Sequence, residues 1–236
     1  EIHAEERALK RWGLLPKDAD YKQMVVGLLV EQIAGFYDPR ARELYIADWI
    51  AAAMQKPVLA HEIDHALQDQ SFNLENLLKA NKTNSDDQLA RQALVEGDGL
   101  ALMIEYLFHE MGQPVAWSDP TVRSLMTQQL AQGAATELKH LPLYLRETLL
   151  FPYLAGVGLI AETRAQNSWD RVDQMFRKPP RSTEQVLHPA KYFAGEAPQV
   201  VPDPTAPTAS EWRPVFHNVA GELGWAIFLE QHGVTR

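Results

Sequence analysis

The chain has 236 residues, of which 46% are hydrophobic, and it carries a formal net charge of −9. That length suits one large domain or two small ones, and the supply of apolar and aromatic residues excludes a disordered chain. The acidic balance, with no dense run of Lys or Arg, excludes a nucleic-acid surface; the absence of cysteine excludes disulfides, thiolate ligands and thiol nucleophiles, so any metal must be held by His, Asp or Glu.

Residues 3–12 and 20–34 have helical apolar spacing, and Gly35 is placed to end the second helix. In FYDPRARELYIAD, Asp38-Pro39-Arg40 reads as a turn and ELYIA alternates like a strand. Pro57 then fits the first turn of a helix reaching about Phe72, with Val58, Leu59, Ile63, Ala66 and Leu67 as its apolar face. LENLLKANKTNSDDQ is polar and is expected to contain a loop. A long helix over 86–110 stops before Gly112, followed by helices at 120–139, 143–167 and 168–177.

Within 143–167, TLLFPYLAGVGLIAE is the nearest approach to a membrane span, but it falls short of the roughly 18 residues required and contains Pro152, Gly156 and Gly158. It is read as a buried helix, and no integral membrane segment is expected. Ser182 and Gln185 have capping-box spacing, EAPQVVPDPTAPTAS reads as an extended Pro-rich loop, EWRPVFHNV as a strand and GELGWAIFLEQHG as a final helix. The expected class is α+β, mostly helical, in a single domain over 1–236, with a core at about 36–110 and a helical C-terminal part at about 120–236. The chain opens on Glu1, as a processed or truncated product would.

The chemistry concentrates in PVLAHEIDHALQDQSF, where His61-Glu62-Ile63-Asp64-His65 matches H-E-x-x-H. In a helix His61 and His65 lie one turn apart on one face, a spacing at which two imidazoles grip one Zn²⁺. Glu62 stands about 100° round from His61, where it can reach a water on the metal as a general base. Asp64 flanks the same face on the other side, placed to accept a hydrogen bond, hold a cation or remain solvated. Asp69, one turn after His65, is a candidate to orient that ring, and Gln68 and Gln70 extend the polar stripe.

A catalytic zinc needs a third protein ligand. RQALVEGDGLALMIEYLFHE is apolar nearly all round, so its helix must be buried, yet it contains Glu96-Gly97-Asp98-Gly99. A buried carboxylate is costly unless paired or bound to metal. Two helical glycines cost about 1 kcal/mol each against Ala, which makes sense where this helix passes close to another, such as the one carrying His61 and His65.

AHEIDHALQDQ followed by LVEGDG resembles the gluzincin zinc metallopeptidases, particularly the compact peptidase-MA-like and minigluzincin members. The likeness covers about residues 36–110. It implies a zincin-like core with a small sheet beside the metal helix, one Zn²⁺, His61, His65 and Glu96 as ligands, and Glu62 as base. The chain departs from the pattern at Asp64 and in lacking N-E-x-x-x-D around Glu96; Asp98 stands at a different spacing. Asp98, Glu105, His109 and His188 are the rival third ligands.

The expected reaction is peptide hydrolysis by metal-activated water, with a peptide or protein as substrate. His188, Tyr192 or Tyr37 would supply the oxyanion donor, His188 being the preferred choice because it lies in the polar segment STEQVLHPAKY. ELYIA resembles the edge strand on which zincins hold a substrate by strand addition, while Val115, Trp117, Trp169 and the aromatics at 151–153 are assigned to the core. An exported protein, periplasmic or extracellular, is compatible with this reading. The alternatives are a catalytically silent gluzincin-like binding protein, a zinc amidase acting on cell-wall peptides, and a helical protein without metal.

Overall fold

Two long helices organise the molecule, and small residues set how closely they approach. The computed structural model describes residues 2–32, 34–81, 83–165, 168–202 and 217–234. Among these, the chain is mostly helical with one two-stranded sheet. Helix α1 spans Ile2–Arg11 and α2 Tyr21–Gln32. Strands β1 (Gly35–Asp38) and β2 (Glu43–Ile46) form an antiparallel hairpin. Helices α3 (Ala52–Phe72), α4 (Leu74–Lys79), α5 (Ser85–Glu110), α6 (Pro120–Glu137), α7 (Leu143–Arg164), α8 (Trp169–Arg177), α9 (Thr183–Leu187), α10 (Pro189–Phe193) and α11 (Gly221–Gln231) follow.

Helix α5 packs most extensively on α7 and next on α3. Its residues Ala90, Ala93, Leu94 and Ala101 are fully buried, as a helix apolar on all sides requires. A Cβ on Gly97 would collide with the Gly156 backbone, and one on Gly156 with Ala93 Oand Gly97 Cα, so no side chain separates the axes at this crossing. The Gly97 contact thus faces α7; only Gly99 faces the α3 histidines, as expected from the sequence. Helix α7 is long and apolar enough to cross a membrane by length and composition. Phe151, Val157, Leu159 and Ile160 of α7 are instead buried in the protein core.

The hairpin shows why Gly35 does not end α2. A Cβ there would meet Val58, Ile46 and Glu62 side-chain carbons at 2.9 to 3.1 Å, so Gly35 opens β1 where the strand crosses α3. The Asp38 carboxylate accepts from the Arg40 and Ala41 N–H groups to make the expected turn, with Arg42 at φ 55°. Helix α3 begins before Pro57, which falls in its second turn, and the polar stretch after it forms the short helix α4. Asn73 sits in the left-handed region and joins the two helices: it ends α3, and its side chain caps α4.

The C-terminal elements lean on the start of α5. Buried Asp86 accepts from both the N–H and the hydroxyl of Thr183, and that hydroxyl accepts from Leu223 N–H, so one carboxylate ties α9 and α11 to α5. Ser182 caps α9 as its spacing implies, while Gln185 accepts from Arg181 N–H rather than closing the box. The strand expected over 211–219 lies mostly outside the described residues, and 217–219 have no regular structure.

Candidate metal centre

Helix α3 buries its polar stripe. Glu62 is 5% and Gln68 3% exposed, whereas Leu59, Ile63 and Leu67, expected to face the core, are 38%, 44% and 53% exposed. What α3 turns toward α5 is the H-E-x-x-H face.

The His61 and His65 Nε2 atoms lie 3.0 Å apart, and Glu96 Oε2 of α5 stands 3.4 and 3.5 Å from them. Tetrahedral ligands at about 2.0–2.1 Å from Zn²⁺ would be separated by about 3.3 Å, so the three donors fit one ion. Burial disfavours charge on Glu96, yet hydrogen bonds and attraction from both histidines outweigh it and hold its carboxyl down, at about 2. Burial likewise opposes the protonated His65 ring, but Glu96, with Gln68 and Glu62 behind it, raises its pKa to about 9. The Glu96 charge thus favours a proton on His65 at the point where the three groups could hold a metal ion.

The two rings are held differently. His65 Nδ1 lies 3.0 Å from Gln68 Oε1. Gln68 Nε2 in turn donates to Asp64 Oδ2 at 2.7 Å, Asp98 Oδ2 at 2.9 Å and Val95 O at 3.2 Å. His61 Nδ1 is buried without a partner. Packing holds that ring: a Cβ on Gly99 would come within 2.8 Å of it, and Tyr153 of α7 stacks on it at 6.5 Å between centroids.

Glu62 sits beside the triad. Ala47 N–H bonds Ala34 O, so alternation along the hairpin turns Tyr37 N–H away from β2, and that N–H favours the ionised Glu62. Burial outweighs this, together with the attraction of His65 and His61, and raises the Glu62 pKa. Glu62 Oε2 is buried with no hydrogen-bond partner.

The other residues singled out from the sequence fall as follows. Asp69 does not orient His65; its carboxylate accepts from Leu74 N–H and the Tyr37 hydroxyl, at the α3–α4 junction. The Gln68 amide joins partly buried Asp64 and buried Asp98 as a carboxyl pair. Burial raises both pKa values, and that of Asp98 further because the Asp64 charge lies beside it. Glu105 accepts from Trp117 and Arg164, and His109 is exposed near the end of α5. His188 is half exposed and bonded to Glu222 of α11 at 2.9 Å, and the Tyr192 hydroxyl donates to Lys178 O. Strand β1 turns its outer edge toward Glu62 through the Tyr37 N–H, and β2, which contains ELYI, pairs with β1 on the other side.

Two contributors escaped the sequence reading. Tyr153, assigned to the core, hydrogen-bonds Glu96, and burial with the Glu96 and Glu62 charges raises its pKa far above the ordinary phenol value. Gln68, read as part of a polar stripe, carries the contact to His65. The i, i+3 spacing from His65 to Gln68 was the available signal for the second; nothing near Tyr153 in sequence marked the first.

Compared with protein-family models, curated proteins and solved structures, the chain finds no match in any of the three.

Proposed function

We propose that the protein is a zinc-dependent peptidase of gluzincin type, built on a zincin-like core. The observation that carries this reading is the convergence of His61 Nε2, His65 Nε2 and Glu96 Oε2 from two helices, with buried Glu62 beside them. His61, His65 and Glu96 would hold one Zn²⁺. Bound there, the ion would lower the pKa of a water ligand toward about 7 and polarise the scissile carbonyl. Glu62 accepts the proton of the attacking water and delivers it to the leaving amine. Its raised pKa suits both steps, and its unpartnered Oε2 is the atom free to take the proton. Tyr153 stays protonated beside Glu96 and replaces His188 as the preferred donor to the developing oxyanion.

Metal analysis of the purified protein beside Glu96→Ala, with a peptide-library cleavage assay on wild type and Glu62→Gln, tests this. One zinc per chain, lost in Glu96→Ala, and cleavage abolished in Glu62→Gln are expected. Zinc retained in Glu96→Ala removes the third ligand, and equal cleavage by wild type and Glu62→Gln sinks the peptidase reading. A silent binding protein would bind zinc and cleave nothing.

A further inference from the structure

We propose that Gln68 is a positioning residue that commits His65 to a single ring tautomer and holds Glu96 in register with it. The inference rests on the assignment of His61, His65 and Glu96 as the metal triad, and it concerns how the protein prepares two of those ligands. Its basis is the set of atoms facing the Gln68 amide. The NH₂ group meets Asp64 Oδ2, Asp98 Oδ2 and Val95 O, three acceptors for two protons. Turned over, the amide would point its oxygen at the Val95 carbonyl, which can only accept, and would set it among two carboxyl groups, so the orientation seen is the favoured one. Oε1 then faces His65 Nδ1 at 3.0 Å and accepts only if that nitrogen carries hydrogen. With Nδ1 protonated, the neutral ring keeps its lone pair on Nε2, the atom that faces His61 and Glu96.

The same amide reaches α5 on both sides of Glu96, at Val95 and at Asp98. One side chain of the H-E-x-x-H helix therefore fixes both a ligand of its own helix and the place of the ligand on the other. A direct carboxylate partner, the role expected of Asp69, would bring a full charge against the ring. Gln68 puts a neutral amide between His65 and the Asp64–Asp98 pair instead. His61 has no such support, since its Nδ1 lacks a partner, and it serves as an internal control.

The test is long-range ¹H–¹⁵N NMR of the histidine rings, combined with zinc titration against a competing chelator, for wild type, Gln68→Met and Gln68→Glu. In chelator-stripped protein, at a pH where the ring signals report neutral imidazole, the wild type is expected to show His65 as the Nδ1–H tautomer. Gln68→Met, close in shape but without hydrogen bonds, loses that preference, leaves the His61 signals in place and weakens zinc binding by ~10–100-fold. Gln68→Glu keeps an acceptor for His65 and restores the Nδ1–H signal even where it loosens α5. A merely structural role would lower stability without changing the His65 tautomer. If wild-type His65 is the Nε2–H tautomer, or if Gln68→Met changes neither tautomer nor zinc affinity, the proposal is overturned. The wild-type tautomer decides the matter even where Gln68→Met fails to fold. Absence of zinc uptake by wild type would sink the metal assignment separately, because the tautomer is read without metal.

Discussion

Helices α3 and α7 are of almost equal length, 21 and 22 residues, and both pack on α5, yet they use their apolar residues in opposite ways. Helix α7 puts Phe151, Val157, Leu159 and Ile160 inside. Helix α3 puts Glu62, Gln68 and the two histidines inside and leaves Leu59, Ile63 and Leu67 in solvent. Fully burying an aliphatic side chain is worth about 1.5–3 kcal/mol, so α3 forgoes much of what its sequence offers. A buried polar stripe is tolerable only where its members satisfy one another, which the triad and the Gln68 network do for most of their atoms. The orphaned His61 Nδ1, Glu62 Oε2 and Asp98 Oδ1 all lie in this region. In the proposed function the α3 contact gives up stability for chemistry, whereas the α7 contact supplies stability and brings Tyr153 to Glu96.

The sharpest way to break that contrast is Glu62→Gln. If α3 is spent on chemistry, peptide cleavage falls by ~10²–10⁴-fold while urea denaturation shows no loss of stability, because the amide removes a buried charge. A large fall in stability would make Glu62 a structural residue and equate the two helices. The converse substitution is Gly156→Ala. Its Cβ has no room against Ala93 and Gly97, so α5 and α7 must separate, at a cost of about 1–3 kcal/mol in the same denaturation experiment. Activity per folded molecule should fall as well, because the same crossing brings Tyr153 to Glu96; unchanged activity would show that Tyr153 is not the oxyanion donor.

The contrast also marks where the sequence was legible. The long apolar helix at 86–110, the H-E-x-x-H helix and the Asp38 turn could be read because each depends on neighbours in sequence: apolar period, spacing of four, and side chain to nearby backbone. The burial side of α3 could not. Periodicity identifies an apolar stripe in Leu59, Ile63 and Leu67, but which stripe turns inward depends on what α5 presents, and α5 presents Glu96 and Asp98. Strand β1 was missed because four residues ending at a turn have too short a pattern, and Gly35 reads equally well as a helix stop. Tyr153 lies in a run of apolar residues, and only the crossing at Gly156 brings its hydroxyl to Glu96.

A smaller effect separates the two contacts by pH. Asp64 has its pKa raised to about 6 and Asp98 is raised well above its ordinary value, so the folded state holds protons that the unfolded chain, titrating near 3.8, has released. Their stabilisation is complete below that value and is lost as pH rises through the folded pKa values. Glu96 has the opposite sign, and its contribution is complete above its unfolded value of 4.5. The contribution of His65 persists up to its unfolded value of 6.5 and declines from there to about 9. Between 4.5 and 6.5 Glu96 and His65 contribute a constant amount, so the carboxyl pair, with Glu62 and Asp86 whose pKa values burial also raises, should make metal-stripped protein lose stability with rising pH by at most about 1.4 kcal/mol per unit per proton. Asp98→Asn should flatten this slope in urea denaturation run across the interval. An unchanged slope would mean that the pair is not the seat of the retained proton.

The smallest expected effect is the most direct probe of the inverted helix. Ile63 lies opposite the His61–His65 face and is 44% exposed, and Leu67, one turn on, is 53% exposed. Were α3 an ordinary amphipathic helix with these residues in the core, Ile63→Thr or Leu67→Gln would cost several kcal/mol, as large-to-small or polar substitutions in a core do. With the polar stripe inside, each should change stability by no more than about 0.5 kcal/mol and leave zinc affinity untouched. The paired change Gln68→Leu supplies the other half of the measurement, because it adds apolar surface on the buried side and strips four hydrogen bonds from the network. On helix α7 apolar gain inside is stabilising; on α3 it should be destabilising. If Gln68→Leu stabilises the fold while Ile63→Thr unfolds it, the two helices bury their surfaces by the same rule and the orientation of α3 described here is wrong.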